Sequence, residues 1–151
     1  MNNDERTGRY LKIEYFTTPE MILTYPVHCF TSNLPQHKAY NGIWDTGSSR
    51  SIISQNVVND LQLTSVGTSL ATQLQARGEV IRDIFLMNIA LAPHIIFSNV
   101  RVGLVLLPPG FDIIIGLDII TRGNFSLSQE NGKTIVEFLL PDPALLHYIS
   151  Q

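Results

Sequence analysis

Short runs of β-branched and aromatic residues, separated by turn-forming residues, make up most of the 151-residue chain. The clearest run lies between Asn99 and Leu106, where apolar residues at the even positions alternate with Asn99, Arg101 and Gly103. A period of two is typical of a strand with one buried face. The same pattern predicts strands over residues 10–16, 21–30, 38–44, 80–91, 95–107, 113–115, 125–128 and 134–140.

Signals for helices and tight turns are few. Residues 54–61 predict one short helix that begins after Ser54, a residue type that caps helices well. Residues 118–122 predict one or two further helical turns, and Asn131-Gly132 predicts the turn of a closing hairpin. The polar residues 64–79 predict an exposed loop or hairpin tip. The expected fold class is therefore mainly β, with one or two short helices.

Length and composition favour one folded domain. Hydrophobic residues make up 44% of the chain and charged residues 15%, against about 25% charged residues in an average domain. A chain with this balance buries enough apolar surface to fold, which excludes a disordered tail. We expect a loose N-terminal leader over residues 1–9 and a single domain over residues 10–151.

Charge and hydropathy narrow the possible partners. The chain has 10 Lys and Arg against 13 Asp and Glu, a net charge of −3, and no basic block. We therefore expect neither nucleic acid nor a membrane surface as a partner. The apolar run Val102–Leu107 is far shorter than the roughly 20 residues of a spanning helix. The polar N-terminus lacks the apolar core of a signal peptide, so a cytoplasmic location is expected.

Cysteine and histidine usage gives no sign of a metal or disulfide site. Cys29 is the one cysteine, which excludes an internal disulfide and a cysteine-based zinc site. The four histidines show no spacing typical of metal ligands. We expect no metal and no cofactor, and we interpret Cys29 as a small buried apolar residue.

The candidate chemistry lies in Ile43-Trp44-Asp45-Thr46-Gly47-Ser48-Ser49. An apolar strand brings Asp45 into a tight turn, and the apolar pair Ile52-Ile53 follows. Gly47 has no Cβ, so a ligand or a second backbone can approach closely there. A carboxylate between two buried strands needs N–H donors, a partner charge or a proton. Asp45 is therefore a candidate catalytic acid, with an aspartate that only shapes a turn as the alternative.

A second block, Ile113-Ile114-Ile115-Gly116-Leu117-Asp118, places three apolar residues and a glycine before a short helix. Together the two blocks resemble the retropepsin family, the single-domain aspartic proteases of retroviruses and their cellular and bacterial relatives. The resemblance covers about residues 38–140, and we expect a cellular or bacterial member. Pepsin-like enzymes carry two copies of Asp-Thr-Gly in a longer chain, whereas this chain has one copy.

The resemblance implies a closed β-barrel that is completed as a C2 homodimer. It also implies an aspartic endopeptidase in which water is activated between two Asp45 carboxylates, one from each subunit. Two carboxylates about 3 Å apart share one proton, because both cannot ionise at that separation. One of them then acts as a general base on water while the protonated one polarises the scissile carbonyl.

The resemblance also implies roles for individual residues. Its catalytic residues are Asp45, Thr46 and Gly47. Ser48 is in a position to donate a hydrogen bond to a carboxylate oxygen. The residues that it implies for binding a peptide or protein substrate are Ser48, Arg50, Ile52 and Ile114.

The chain departs from the family pattern in two places. Many viral members have an acidic residue and an arginine, which form an ion pair, where this chain has Ser49 and Leu117. That ion pair usually braces the dimer interface, so we expect another contact to replace it. The flap, a hairpin that covers the substrate, usually has a glycine-rich tip, but residues 67–80 contain only Gly67 and Gly78. These residues fit a flap by position and not by composition.

Two functional classes other than a protease remain as alternatives for the chain, and Asp118 has two alternative roles. A protein of this fold without catalysis would serve as a dimerisation or peptide-binding module, and a monomeric β-barrel binding protein would lack the symmetric pair. Asp118 is better interpreted as a helix N-cap than as a second catalytic acid.

Overall fold

The computed structural model describes residues 8–72 and 79–142, most of which lie in β-strands. The expectation of a mainly β fold with one or two short helices is confirmed, and the structure has two. The helices are α1, Gln55–Asp60, and α2, Leu117–Ile120. The strands are β1 Gly8–Phe16, β2 Thr24–Phe30, β3 Lys38–Trp44, β4 Ile52–Ile53, β5 Gly67–Thr72, β6 Glu79–Ala92, β7 Ile95–Leu104, β8 Ile113–Ile115, β9 Asn124–Glu130 and β10 Lys133–Pro141.

The chain divides into two compact units, of which the larger comprises residues 23–119. Its strands follow the order β2-β3-β8-β4-β7-β6, and β6 pairs with β2, so that the sheet closes into a six-stranded barrel. Closure removes the exposed sheet edges that invite aggregation. Strand β5 pairs with β6 beyond the barrel and forms a hairpin with it, the β5–β6 hairpin.

The barrel core consists mainly of β-branched residues. Ile53, Ile89, Ile95 and Ile113 are fully buried. The predicted alternation along β7 is observed, since Val100 and Val102 are buried while Arg101 is exposed. β-branched side chains pack well on a pleated surface, which explains why this composition forms strands.

The second unit comprises residues 1–22 and 120–151, of which 8–22 and 120–142 are described. Its sheet is antiparallel with the order β1-β10-β9, so β10 is paired on both edges within the chain. Asn131 and Gly132 have φ angles of 50° and 76°, as a two-residue hairpin turn requires. The predicted Asn-Gly turn is therefore confirmed.

Several predicted boundaries differ from the structure. Strand β1 begins at Gly8, inside the predicted leader, and residues 67–72 form β5 within the segment expected to be an exposed loop or hairpin tip. Residues 73–78 lie outside the described residues, so the predicted hairpin tip is not described. The single domain over residues 10–151 stays a prediction. In the described part of the chain, no helix has the length and apolar character to cross a membrane.

Candidate active site

Asp45 lies at the end of β3, where the barrel holds its backbone firmly. Strand β3 runs parallel to β8, and Trp44 stands opposite Ile115. The Asp45 N–H donates to the Ile115 carbonyl at 3.0 Å and thereby extends this pairing by one residue. Trp44, only 5% exposed, anchors the strand in the core. The position of Asp45 is thus set by the buried strand that precedes it.

The Asp45 side chain is half-buried and has one hydrogen-bond donor among the described residues. The Gly47 N–H donates to its Oδ1 at 2.8 Å. A Cβ at Gly47 would lie 3.1 Å from that oxygen, closer than most Cβ contacts, so glycine lets the backbone fold back onto the carboxylate. This donor satisfies Oδ1 only. The carboxylate keeps acceptor capacity for a further partner.

Gly116 allows the loop after Asp45 to cross the end of β8. A Cβ at Gly116 would lie 2.6 Å from the Arg50 carbonyl carbon and 2.9 Å from the Ser48 carbonyl oxygen. Beyond this crossing, the Leu117 N–H donates to the Ser48 carbonyl at 2.8 Å. The glycine of the second sequence block is therefore required because the loop backbone occupies the space of a side chain.

Ser51 and Asp118 connect the same loop to α2. The backbone N–H and the hydroxyl of Ser51, which is fully buried, donate to Asp118 Oδ1 at 2.8 and 2.7 Å. The Ser51 hydroxyl also accepts the Gly116 N–H at 3.1 Å. Asp118 thus lies within α2 and binds the neighbouring loop, so its expected role as the helix N-cap is wrong. Hydrogen bonds to a charged acceptor are among the stronger ones in proteins.

The loop and the β5–β6 hairpin enclose a cleft of about 440 Å³. Six of the seven predicted site residues line it together, and Thr46, which is exposed, does not. The six are Asp45, Gly47, Ser48, Arg50, Ile52 and Ile114.

The hydroxyl of Ser48 differs from its expected arrangement. It donates to the Arg50 carbonyl at 2.7 Å rather than to a carboxylate. Its role within this chain is therefore to stabilise the turn that follows Asp45.

No specific signal in the sequence pointed to the rest of the cleft lining. Ser69 and Leu70 come from β5 and fall inside the segment that fits a flap by position. Ser49 lies inside the motif without a predicted role. The residues from the barrel strands, which only the strand pairing brings to the cleft, are Arg82, Ile84 and Gly103.

Comparison with solved structures gives three relevant matches. A retropepsin-like aspartic protease from Rickettsia conorii is 14% identical, with a TM-score of 0.57 over 86% of this chain and 92% of that one. The chain has the retropepsin-like fold. EIAV protease complexed with the inhibitor HBY-793 is 20% identical, with a TM-score of 0.48 over 70% and 90% of the two chains. The retroviral protease-like domain of Ddi1 from Leishmania major is 17% identical, with a TM-score of 0.43 over 82% and 99%.

These likenesses concern the fold. No family model matches the sequence, and no curated protein matches it. At 14% identity, a shared fold does not by itself establish a shared activity. Function must therefore be argued from the site.

The contact between Ser51 and Asp118 joins the loop that follows Asp45 to the second sequence block within one chain.

Other parts of the described chain offer less chemistry. A cleft of about 410 Å³ between residues 31–34, 61–64 and 86–88 has no titratable side chain in its lining. Among residues 8–72 and 79–142, no group of three or more His, Cys, Asp or Glu side chains could hold a metal ion. Cys29 is fully buried, and burial raises the pKa of its thiol, so the reactive thiolate is suppressed.

Proposed function

We propose that the protein is an aspartic endopeptidase that acts as a C2 homodimer. The observation that supports this most is the Asp45 carboxylate, which lines the cleft while only one of its oxygens is hydrogen-bonded by a described residue. One chain supplies one such acid, so the pair requires a symmetry-related copy.

The proposed reaction uses the pair as base and acid in turn. One Asp45 takes a proton from water, which attacks the scissile carbonyl. The other Asp45, protonated because two close carboxylates cannot both ionise, polarises that carbonyl and then helps to protonate the leaving amine. In each chain the Gly47 N–H holds Oδ1 of Asp45 in place for this exchange.

The cleft also fits the proposed substrate, an extended peptide. Ile52, Ile84 and Ile114 give it apolar walls, and Leu70, which is 63% exposed, lies on the β5–β6 hairpin beside them. An extended peptide that binds as an added strand presents alternate side chains to such walls. We therefore propose cleavage next to apolar residues.

The test compares the wild type with Asp45→Asn on a peptide library between about pH 4 and 7. We expect cleavage by the wild type and its loss in the variant, because the amide cannot take the proton of water. Asp60→Asn is the control, since Asp60 is an exposed acid outside the cleft. Peptide binding without cleavage by all three proteins would instead identify a binding module, and a monomer in light scattering would exclude the symmetric pair.

A further inference from the structure

Arg82 places a positive charge in the candidate active-site cleft. It lies on β6 opposite Ser69 of β5, and its side chain lines the same cleft as Asp45. The residue is half-buried. The motifs in the sequence assign it no role, and neither does the proposed reaction.

The guanidinium of Arg82 is incompletely satisfied. Its Nε atom is buried and has no hydrogen-bond partner among the described residues. Arg82 is not a partner in the lysine–carboxylate ion pairs seen among residues 8–72 and 79–142. Burying a polar group without a partner is costly. Arg82 is only half-buried and lines the cleft, so the part of its side chain that is not buried can meet an acceptor that enters the cleft.

The barrel wall supports the apolar stem of the Arg82 side chain. Gly103 of β7 lies beside the stem of Arg82, whose Cδ is 3.9 Å from the place where a Cβ on Gly103 would be. Ile84, which also lines the cleft, follows two residues later on β6, on the same face. The apolar stem is therefore supported by the barrel wall, as is usual for long basic side chains.

The charge balance of the cleft favours an anionic ligand. Each chain contributes Arg82 and Arg50 to the lining, and Asp45 is the one acid among those residues. A guanidinium matches the geometry of a carboxylate, with which it forms paired, charge-assisted hydrogen bonds. The apolar residues of the same cleft leave room for uncharged side chains beside that carboxylate.

We propose that Arg82 makes the cleft selective for peptides that carry an acidic side chain, Glu or Asp, near the scissile bond. This inference rests on the proposed endopeptidase function and adds a polar determinant to its apolar preference. In an extended peptide, successive side chains point to opposite sides. The acidic side chain therefore occupies a different subsite from the apolar residues at the cut.

The test uses peptides in which one Glu, or Gln in its place, is moved position by position along each side of a cleaved bond. We expect one position at which the wild type prefers Glu, and a loss of about tenfold in that kcat/KM preference in Arg82→Gln, the size expected for a charged hydrogen bond. Arg82→Lys should retain part of the preference. Arg101→Gln, a change of an exposed arginine on β7, should retain all of it.

Failure of this inference is distinguishable from failure of the proposed function. If Arg82→Gln cleaves Glu and Gln peptides in the wild-type ratio, the selectivity is wrong while the endopeptidase stands. If no variant cleaves, binding of fluorescently labelled Glu and Gln peptides to Asp45→Asn and to Asp45→Asn/Arg82→Gln is compared: tighter binding of the Glu peptide by Asp45→Asn alone supports the inference, and the same preference in both proteins overturns it. A weaker dimer in Arg82→Gln, measured by light scattering, with unchanged peptide preference would assign Arg82 to the subunit interface and overturn the inference.

Discussion

Gly116 shows how one missing side chain permits the geometry of the site. The carbonyl groups of Ser48 and Arg50 occupy the space where a Cβ at this position would lie. Since both contacts are with backbone atoms of the loop that carries Asp45, a larger residue cannot be accommodated by rotating a side chain. The loop itself would have to move, and with it the carboxylate.

Gly116→Ala should therefore destabilise the protein by about 1–3 kcal/mol, the usual cost of overpacking. Urea denaturation measures the change in the free energy of unfolding. Gly103→Ala is the matched control, because a Cβ there would meet its nearest atoms at 3.9 Å, an ordinary contact. Equal stabilities of the two variants would contradict the role assigned to Gly116.

At the scale of residues, the sequence predicted those site residues that lie close together along the chain. Asp45, Gly47 and Ser48 share one contiguous motif, and the structure places them in one cleft. The hydrogen bonds between Ser51 and Asp118 join residues 67 positions apart and depend on the loop after Asp45 crossing the end of β8, which no local pattern encodes. The sequence around Asp118 is typical of a helix start, but in the folded chain its carboxylate accepts hydrogen bonds from Ser51.

At the scale of elements, strands with an apolar or alternating pattern were predictable, and the polar strand β5 was not. β3 and β8 coincide with their predicted ranges. β5 falls in a polar segment that was expected to form an exposed loop or hairpin tip, and Thr68 and Leu70 are exposed. It forms a strand through backbone pairing with β6 alone, to which side-chain composition is no guide.

The ion pair between Glu14 of β1 and Lys133 of β10 predicts that the stability of the protein depends on pH. Lys133 of β10 lies 2.8 Å from Glu14 of β1, and this hydrogen bond, together with the charge of Lys133, lowers the pKa of Glu14 below its ordinary 4.5. A carboxyl whose pKa is lowered on folding contributes stability above its unfolded pKa. Glu14→Gln should therefore lower the melting temperature at neutral pH, and the difference from wild type should vanish as the pH falls below 4.5.

Thermal unfolding of both proteins across that range measures the effect. Glu130→Gln is the control, since Glu130 on β9 is exposed and takes no part in the ion pairs between residues 8–72 and 79–142. A difference for Glu14→Gln that stays constant from neutral to acid pH would show that the ion pair is not its origin.

At the scale of the whole molecule, the account depends on a second copy of the chain. Strand β10 is paired on both edges by β1 and β9, so neither edge is open to a partner strand. Among the described strands of this sheet, only β1 and β9 have an outer edge with which a strand of a second copy could pair. Pairing of two chains decides whether one or two Asp45 carboxylates meet, and therefore whether the proposed acid–base reaction is possible.

The most direct test of the shared pair is to mix wild type with Asp45→Asn at constant total concentration, after dissociation and random reassociation. Because both acids are needed and come from different chains, we expect an equal mixture to have about one quarter of the wild-type cleavage rate, the share of dimers with two intact chains. Activity should follow the square of the wild-type fraction. A linear dependence, with half of the rate at equal mixing, would mean that each chain acts alone and would contradict the central claim.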